Sequence, residues 1–280
     1  MQILKAIKNK YRSFLSAAIG ISVSVSLAAC GSTTDLIEYV ERPVEEIYND
    51  AFEAFQRGNF QVAALQFDEV ERQHPYSKWA RRAMMMSAYT YYLQNQYEET
   101  IMTAQRFVGL YPGNSSAAYA YYLIAQSYYE QISDVQRDQR MTELAQQSFI
   151  ELIRRFPNTD YARDAVLKLD LTRDHLAGKE MEVGRYYLER GQYAAAIQRF
   201  ALVIEKYQRT THTAEALHRL TELYVSLGIE REAQTSAAIL GYNFPDSDWY
   251  ADSYRILVER DLRPVRHEDS WLSKIWHSVF

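Results

Sequence analysis

The stretch GRYYLERGQYAAAIQRFALV, residues 184–203, contains the pattern that decides the fold. Small and aromatic residues recur in it, mostly three or four positions apart: Gly184, Tyr187, Gly191, Tyr193, Ala196, Phe200 and Val203. This spacing places side chains on one face of a helix. Small residues let two helices approach closely, and the aromatic rings fill the grooves between them. The stretch therefore predicts a pair of antiparallel helices.

Four of the six prolines lie in similar surroundings, which indicates a repeat. Each follows an apolar segment of helical period and precedes Ser, Thr, Asn or Asp, in the strings QHPYS (73–77), LYPGN (110–114), RFPNT (155–159) and NFPDS (243–247). A proline followed by such a residue is typical of one helix ending and the next being capped. The closing positions 75, 112, 157, 208 and 245 are separated by 37, 45, 51 and 37 residues.

The repeated unit resembles the tetratricopeptide repeat (TPR), whose standard length is about 34 residues. Five copies fit, and Gln208 departs from the pattern by replacing the proline that closes the fourth. The resemblance implies an all-α fold, a right-handed superhelical solenoid of about five TPR helix pairs. Another array of helical hairpins is the alternative.

The unequal intervals predict where the array departs from regularity. The interval of 45 indicates an insertion in the polar stretch 130–141, and the interval of 51 indicates a long helix from near Tyr161 to Glu189. The amphipathic stretch 247–261 is expected to cap the last repeat. We expect repeats one to three over 45–160 and repeats four and five with the capping helix over 161–262.

The amino terminus has the features of a lipoprotein signal peptide. Residues 1–29 contain four basic residues and no acidic residue, and an apolar run ends at VSLAAC, residues 25–30. The string Leu27 to Cys30 resembles a bacterial lipobox, which implies cleavage before Cys30 and its acylation. Several acyl chains anchor a protein stably to a membrane. Gly31 after the cysteine favours the outer membrane, and residues 30–44 are then a lipid-anchored tether.

Composition limits the possible partners. Without residues 1–29 the chain has 31 − 4 = 27 basic and 36 acidic residues, a formal net charge of −9. This argues against a nucleic-acid partner, which requires a basic surface. No cysteine remains for a disulfide or a thiolate metal site, so stability must come from packing.

The sequence lacks the motifs of an enzyme. There is no HExxH, GxSxG, CxxC or glycine-rich phosphate loop, and the six histidines are scattered. We therefore expect a binding protein that is not an enzyme, with no metal and no cofactor other than the lipid on Cys30.

The first helix of each TPR lines the inner face of the solenoid, and its fifth, ninth and twelfth side chains point inward. In the first three repeats seven of these nine positions are aromatic: Tyr48, Phe52, Phe55, Tyr89, Tyr92, Tyr122 and Tyr129. In the last two repeats none of the six is aromatic: Met181, Arg185, Leu188, His218, Glu222 and Val225. Aromatic residues anchor extended, partly apolar peptides, although packing between helices is the alternative. The last two repeats are expected to present a polar face to a folded domain.

The lipobox, the short tether, the five repeats and strings such as YLERG (187–191) together resemble the BamD family of outer-membrane lipoproteins. The resemblance implies a lipid-anchored protein on the periplasmic face of the outer membrane. Its N-terminal repeats would bind C-terminal segments of unfolded outer-membrane proteins, and its C-terminal repeats would dock on a BamA-type barrel-forming subunit, with accessory lipoproteins as further partners. Arg185 and Arg199 are the basic residues expected at that interface. A periplasmic TPR adaptor for cell division or peptidoglycan synthesis is the alternative function.

The tail, residues 263–280, is amphipathic if it is helical. Its apolar residues fall on one face: Trp271, Leu272, Ile275, Trp276, Val279 and Phe280. Exposed tryptophans are unfavourable on a soluble surface. We expect this face to be covered by the solenoid, by a partner or by the membrane interface.

Overall fold

The computed structural model describes residues 41–279, with side chains up to residue 276, and all regular structure in this part is α-helical. The signal segment 1–29 and the lipidation site Cys30 lie outside the described residues. The twelve helices described are α1 (Val44–Gln56), α2 (Phe60–Gln73), α3 (Lys78–Leu93), α4 (Tyr97–Leu110), α5 (Ala117–Tyr129), α6 (Arg140–Arg155), α7 (Asp160–Glu189), α8 (Tyr193–Lys206), α9 (Thr213–Ser226), α10 (Glu230–Asn243), α11 (Asp248–Val258) and α12 (Trp271–Val279).

The first ten helices form five pairs, α1–α2 to α9–α10, each of which packs along the chain against the next. The first helices of neighbouring repeats also contact each other, α1 with α3, α3 with α5 and α5 with α7. These first helices therefore share one face of the repeat stack. The predicted TPR-type solenoid is confirmed.

The helix ends recur with the period of the repeats. The residues that end α2, α4, α6, α8 and α10 share one conformation, with φ between −130° and −136°. After three of the predicted proline stops a hydroxyl caps the next helix: the Ser77, Thr159 and Ser247 oxygens each accept a hydrogen bond from a backbone N–H three residues on. Because α8 ends in the same way before Gln208, the proline is not needed for the stop.

The turns inside four repeats also share one geometry. Gly58, Asn95, Gly191 and Gly228 have φ of 76°, 59°, 68° and 72°, the left-handed conformation that ends many helices. In the third repeat this turn is replaced by the loop 130–139, which confirms the predicted insertion. Four pairs are thus joined by the same tight turn, and the third pair is joined by a longer loop.

One phenylalanine lies at the centre of each of the first four pairs. Phe67, Phe107, Phe149 and Phe200 are all at most 1% exposed. In the fourth pair the ring packs directly on Gly184, where an added Cβ would lie 2.4 Å from Cε1 of Phe200. The small residue in the opening stretch is therefore required by close helix contact.

Helix α7 contains 30 residues, in agreement with the predicted long helix. Its first half packs through Ala165 and Leu169 into the core of the third repeat. Its second half packs through Ala177 and Met181 into the core of the fourth and fifth repeats. At 1.5 Å per residue the helix is about 45 Å long, and it joins the two halves of the array.

The predicted capping helix is α11, which packs over α9 and α10. The tail forms α12, and its Leu272 and Trp276 are 0% and 6% exposed within the core of the last repeats. The Trp271 indole N–H donates to the Tyr224 hydroxyl at 3.1 Å. For the part of the apolar face up to Trp276, the cover among the three possible ones is the solenoid itself.

Candidate peptide-binding surface

Six aromatic rings from four first helices form a continuous series, which we call the aromatic row: Phe52, Phe55, Tyr89, Tyr119, Tyr161 and Tyr122. Successive ring centroids along it are 6.4, 6.0, 6.3, 5.3 and 5.4 Å apart. Rings at these separations attract each other as offset or tilted pairs. The row therefore crosses the first helices of the first three repeats, reaches α7 through Tyr161 and ends at Tyr122 of α5.

The rings of the aromatic row keep part of their surface open to solvent. Phe52 is 39% exposed and Tyr161 is 36% exposed, and the other four are half-buried. Burial raises the pKa of Tyr119, so this hydroxyl stays protonated at neutral pH. The row thus offers uncharged aromatic faces for apolar side chains of a ligand.

Tyr122 is fixed at the end of the row by two polar neighbours from α7. Its hydroxyl lies 2.8 Å from Asp164 and 2.7 Å from Lys168, and these two form an ion pair at 2.6 Å. Burial opposes ionisation of Asp164, but the hydrogen bonds from Lys168 and Tyr122 outweigh it and lower the pKa of Asp164. Asp164 therefore stays ionised and holds the ring in place.

The other three predicted aromatic residues lie apart from the row. Tyr48 packs on Phe67 at 5.5 Å and on Trp79 at 4.7 Å, and Tyr129 packs on Phe149 at 6.0 Å. Tyr92 lies 6.0 Å from Tyr97, and its hydroxyl donates to Glu130 at 3.1 Å. Burial raises the pKa of Tyr92 to about 12. Tyr48, Tyr92 and Tyr129 thus contact residues of the neighbouring helices and, for Tyr92, the residue that follows α5.

Two members of the row, Tyr119 and Tyr161, were missed by the sequence analysis. Tyr119 lies one helical turn before Tyr122, a spacing of three that places both rings on one face. Tyr161 lies in the extension of α7, outside the repeat register, so that no repeat position identifies it. The spacing could have revealed Tyr119, whereas Tyr161 depends on how α7 packs against α5.

The two predicted interface arginines belong to separate ion pairs. One Arg185 nitrogen lies 3.0 Å from both carboxylate oxygens of Glu215, and another lies 3.2 Å from Glu182. Arg199 lies 3.0 Å from Glu180 and is half-buried. The Arg185 pair joins α7 to α9, and the Arg199 pair joins α8 to α7.

The expected polar inner face of the last two repeats is wrong for half of its positions. Met181, His218 and Val225 are 0%, 5% and 8% exposed. For His218 the reason is the capping helix: its ring lies 5.1 Å from Trp249 of α11, and its Nδ1 lies 2.9 Å from the Ser253 hydroxyl. Met181 and Val225 belong to the core of the last repeats. The helix that closes the array therefore covers the part of this face that contains His218.

Within the part of the chain that the structure describes, no three His, Cys, Asp or Glu side chains are grouped so that they could hold a metal ion. None of the helices from α1 to α12 has both the length and the apolar character needed to cross a bilayer.

Comparisons with known proteins place this chain in a family. Residues 40–239 match the YfiO family model, described as outer membrane lipoprotein. The outer membrane protein assembly factor BamD of Caulobacter vibrioides is 51% identical over 89% of this chain and 82% of its own length. That of Rickettsia prowazekii is 44% identical over 89% of this chain and 98% of its own length. A thermophilic TPR protein of Thermus thermophilus aligns with 17% identity and a TM-score of 0.36, over 77% of this chain and 100% of that one.

Proposed function

Because this chain belongs to the YfiO family of outer membrane lipoproteins, whose relatives include outer membrane protein assembly factors named BamD, we propose that it is a non-enzymatic adaptor of outer-membrane protein assembly. Its first three repeats bind the C-terminal segments of unfolded outer-membrane proteins along the aromatic row. Its last two repeats dock on a BamA-type barrel-forming subunit, beside accessory lipoproteins. The role needs no cofactor other than the lipid on Cys30.

The observation that carries this proposal is the continuity of the aromatic row. Each of the six rings, from four helices, lies next to the following one, and Phe52 and Tyr161 are 39% and 36% exposed to solvent. The clients that the family resemblance implies end in aromatic-rich segments. An extended segment places alternate side chains on one side, and these can lie against successive rings.

The test replaces the two most exposed rings, Phe52→Ala with Tyr161→Ala, in the full-length protein. Partial burial of two rings contributes on the order of 2 kcal/mol, so we expect about a thirtyfold weaker affinity for a labelled C-terminal peptide of an outer-membrane protein, measured by fluorescence anisotropy. The matched control is Tyr76→Ala with Tyr242→Ala, two tyrosines that are 101% and 87% exposed and lie outside the row. Circular dichroism checks that both variants keep their helices. Equal binding by both variants would remove the row from the client site.

The docking proposal concerns repeats four and five. Reversing one charge at a time, with Arg199→Glu or with Arg185→Glu, is expected to release the barrel-forming subunit in copurification, because a buried interface charge that loses its partner costs on the order of several kcal/mol. Arg137→Glu, on the loop of the third repeat, is the control with the same change of charge. If the complex survives both reversals, the interface lies elsewhere.

The anchor proposal concerns Cys30. Cys30→Ala leaves no sulfur for acylation, so the protein is expected to leave the outer-membrane fraction while its helical content is unchanged. Membrane fractionation after a salt wash measures this. A variant that still sediments with the outer membrane would show that the lipid on Cys30 is not its anchor.

A further inference from the structure

Three cations on the first two turns of α3 have no ion pair within the described residues. Lys78, Arg81 and Arg82 are exposed, and the structure records no carboxylate oxygen within 4.0 Å of any of them. Many arginines on the helix surfaces pair with a nearby carboxylate, as Arg154 does with Glu151 at 2.5 Å. In a chain with an excess of acidic residues, three neighbouring cations without a carboxylate partner can bind an anionic ligand.

The same three cations line a groove of about 560 Å³, together with Tyr48, Tyr89, Tyr119 and the polar loop 114–116. We call it the basic groove. Its floor comes from the first helices α1, α3 and α5, so that it lies on the face that these helices share. The basic groove therefore combines positive charge with apolar ring surface.

Aromatic neighbours hold the cations at the groove. The Lys78 ammonium and the Arg82 guanidinium lie 5.9 and 5.6 Å from the Trp79 ring, and the Arg81 guanidinium lies 5.8 Å from the Tyr111 ring. Cation–π contacts orient a charged group without neutralising it. The three cations thus remain available to an anion.

The basic groove is continuous with the aromatic row. Tyr89 and Tyr119 belong to both, and their ring centroids are 6.3 Å apart. A peptide on the row therefore reaches the groove without a gap, and a negative charge on it meets the three cations there.

We propose that the basic groove binds the terminal carboxylate of the client peptide whose side chains lie on the aromatic row. This inference rests on the proposed function, because it assumes that the client is bound by its C-terminal segment. Every such segment ends in a main-chain carboxylate whatever its sequence, whereas Asp and Glu side chains differ between clients. A receptor for chain ends can thus use this one charge for all of them.

The experiment compares two labelled peptides that end in the same aromatic sequence, one with a free carboxylate and one with a C-terminal amide. The full-length protein is expected to bind the free acid about fivefold to tenfold more tightly, since partly screened ion pairs are individually weak. Arg81→Gln with Arg82→Gln should abolish this preference, and Arg81→Lys with Arg82→Lys should keep most of it. Arg137→Gln with Arg140→Gln, two exposed arginines outside the groove, should leave it intact.

The outcomes separate this inference from the proposed function. If the acid and the amide bind equally well, the client site stands and the carboxylate site is refuted. If an amidated peptide with an added Asp near its end binds as tightly as the free acid, the groove does not select chain ends and the inference is overturned. If neither peptide binds, the proposed client binding fails, and the carboxylate site fails with it.

Discussion

The terminal helix α12 provides a sharp test of how the array is closed. Leu272 is fully buried and packs with Leu257 and Leu240 in the core of the last repeats. Leu272→Ala removes the side chain and leaves a cavity, which costs about 3 kcal/mol of unfolding free energy within the usual range of about 2–5. For a chain of this size that lowers the melting temperature by roughly 6–12 °C.

The loss is expected to be local, because each repeat contacts only its neighbours and stability is close to a sum of terms along the array. Hydrogen exchange measured by mass spectrometry should show faster exchange in α12 and in α8 to α11, with α1 to α4 unchanged. Lys274→Ala, an exposed position of the same helix, is the control and should change stability by less than about 0.5 kcal/mol. An equally small effect of Leu272→Ala would refute the packing of α12 in the core of the last repeats. Faster exchange at both ends of the array would refute its local character.

Three further outcomes follow from single side chains. Gly184→Ala places a Cβ 2.4 Å from the Phe200 ring, so it should lower the unfolding free energy by about 1–2 kcal/mol although alanine has the better helix propensity. Urea denaturation measures this, and an unchanged midpoint would contradict the close contact. Burial lowers the pKa of His218 below its usual 6.5, and the positive charge of Arg219 adds to this effect, whereas Glu222, Asp252 and Glu215 oppose it. As the pH falls, His218 is therefore protonated in the unfolded chain before it is protonated in the folded protein. Stability should thus fall, by at most about 1.4 kcal/mol per pH unit, as the pH drops through 6.5. His218→Gln should flatten this slope in pH-dependent melts, and an unchanged slope would exclude His218 as its source. Gln208 is buried, and the nitrogen and oxygen of its side-chain amide have no hydrogen-bond partner. Gln208→Pro should therefore raise the unfolding free energy by about 0.5–1 kcal/mol. A lower melting temperature would show that the backbone at this position is incompatible with proline.

The repeat pattern was predictable because it is local. Helix stops, caps and the central phenylalanines depend on residues within one pair, and the long helix followed from the interval between Pro157 and position 208. The sequence analysis did not foresee the burial of His218, because that depends on where α11 packs after the array ends.

The candidate site was predictable only in part, for a related reason. Repeat positions identified Phe52, Phe55, Tyr89 and Tyr122, whose directions are set by their own helices. The Phe55–Tyr89 contact at 6.0 Å and the Tyr119–Tyr161 contact at 5.3 Å depend on the distance between separate helices. The register gives the side of a helix on which a ring lies, whereas packing decides which ring it meets.

The uninterrupted helix α7 has a mechanical consequence for the array. Both of its halves are fixed in separate cores, and it contains no proline at which it could bend. A hinge between the third and fourth repeats would require breaking backbone hydrogen bonds in the middle of this helix. A force applied to the first repeats is therefore transmitted through the rigid α7, which is about 45 Å long, to the last repeats. The array then rotates as one body and does not bend between the third and fourth repeats.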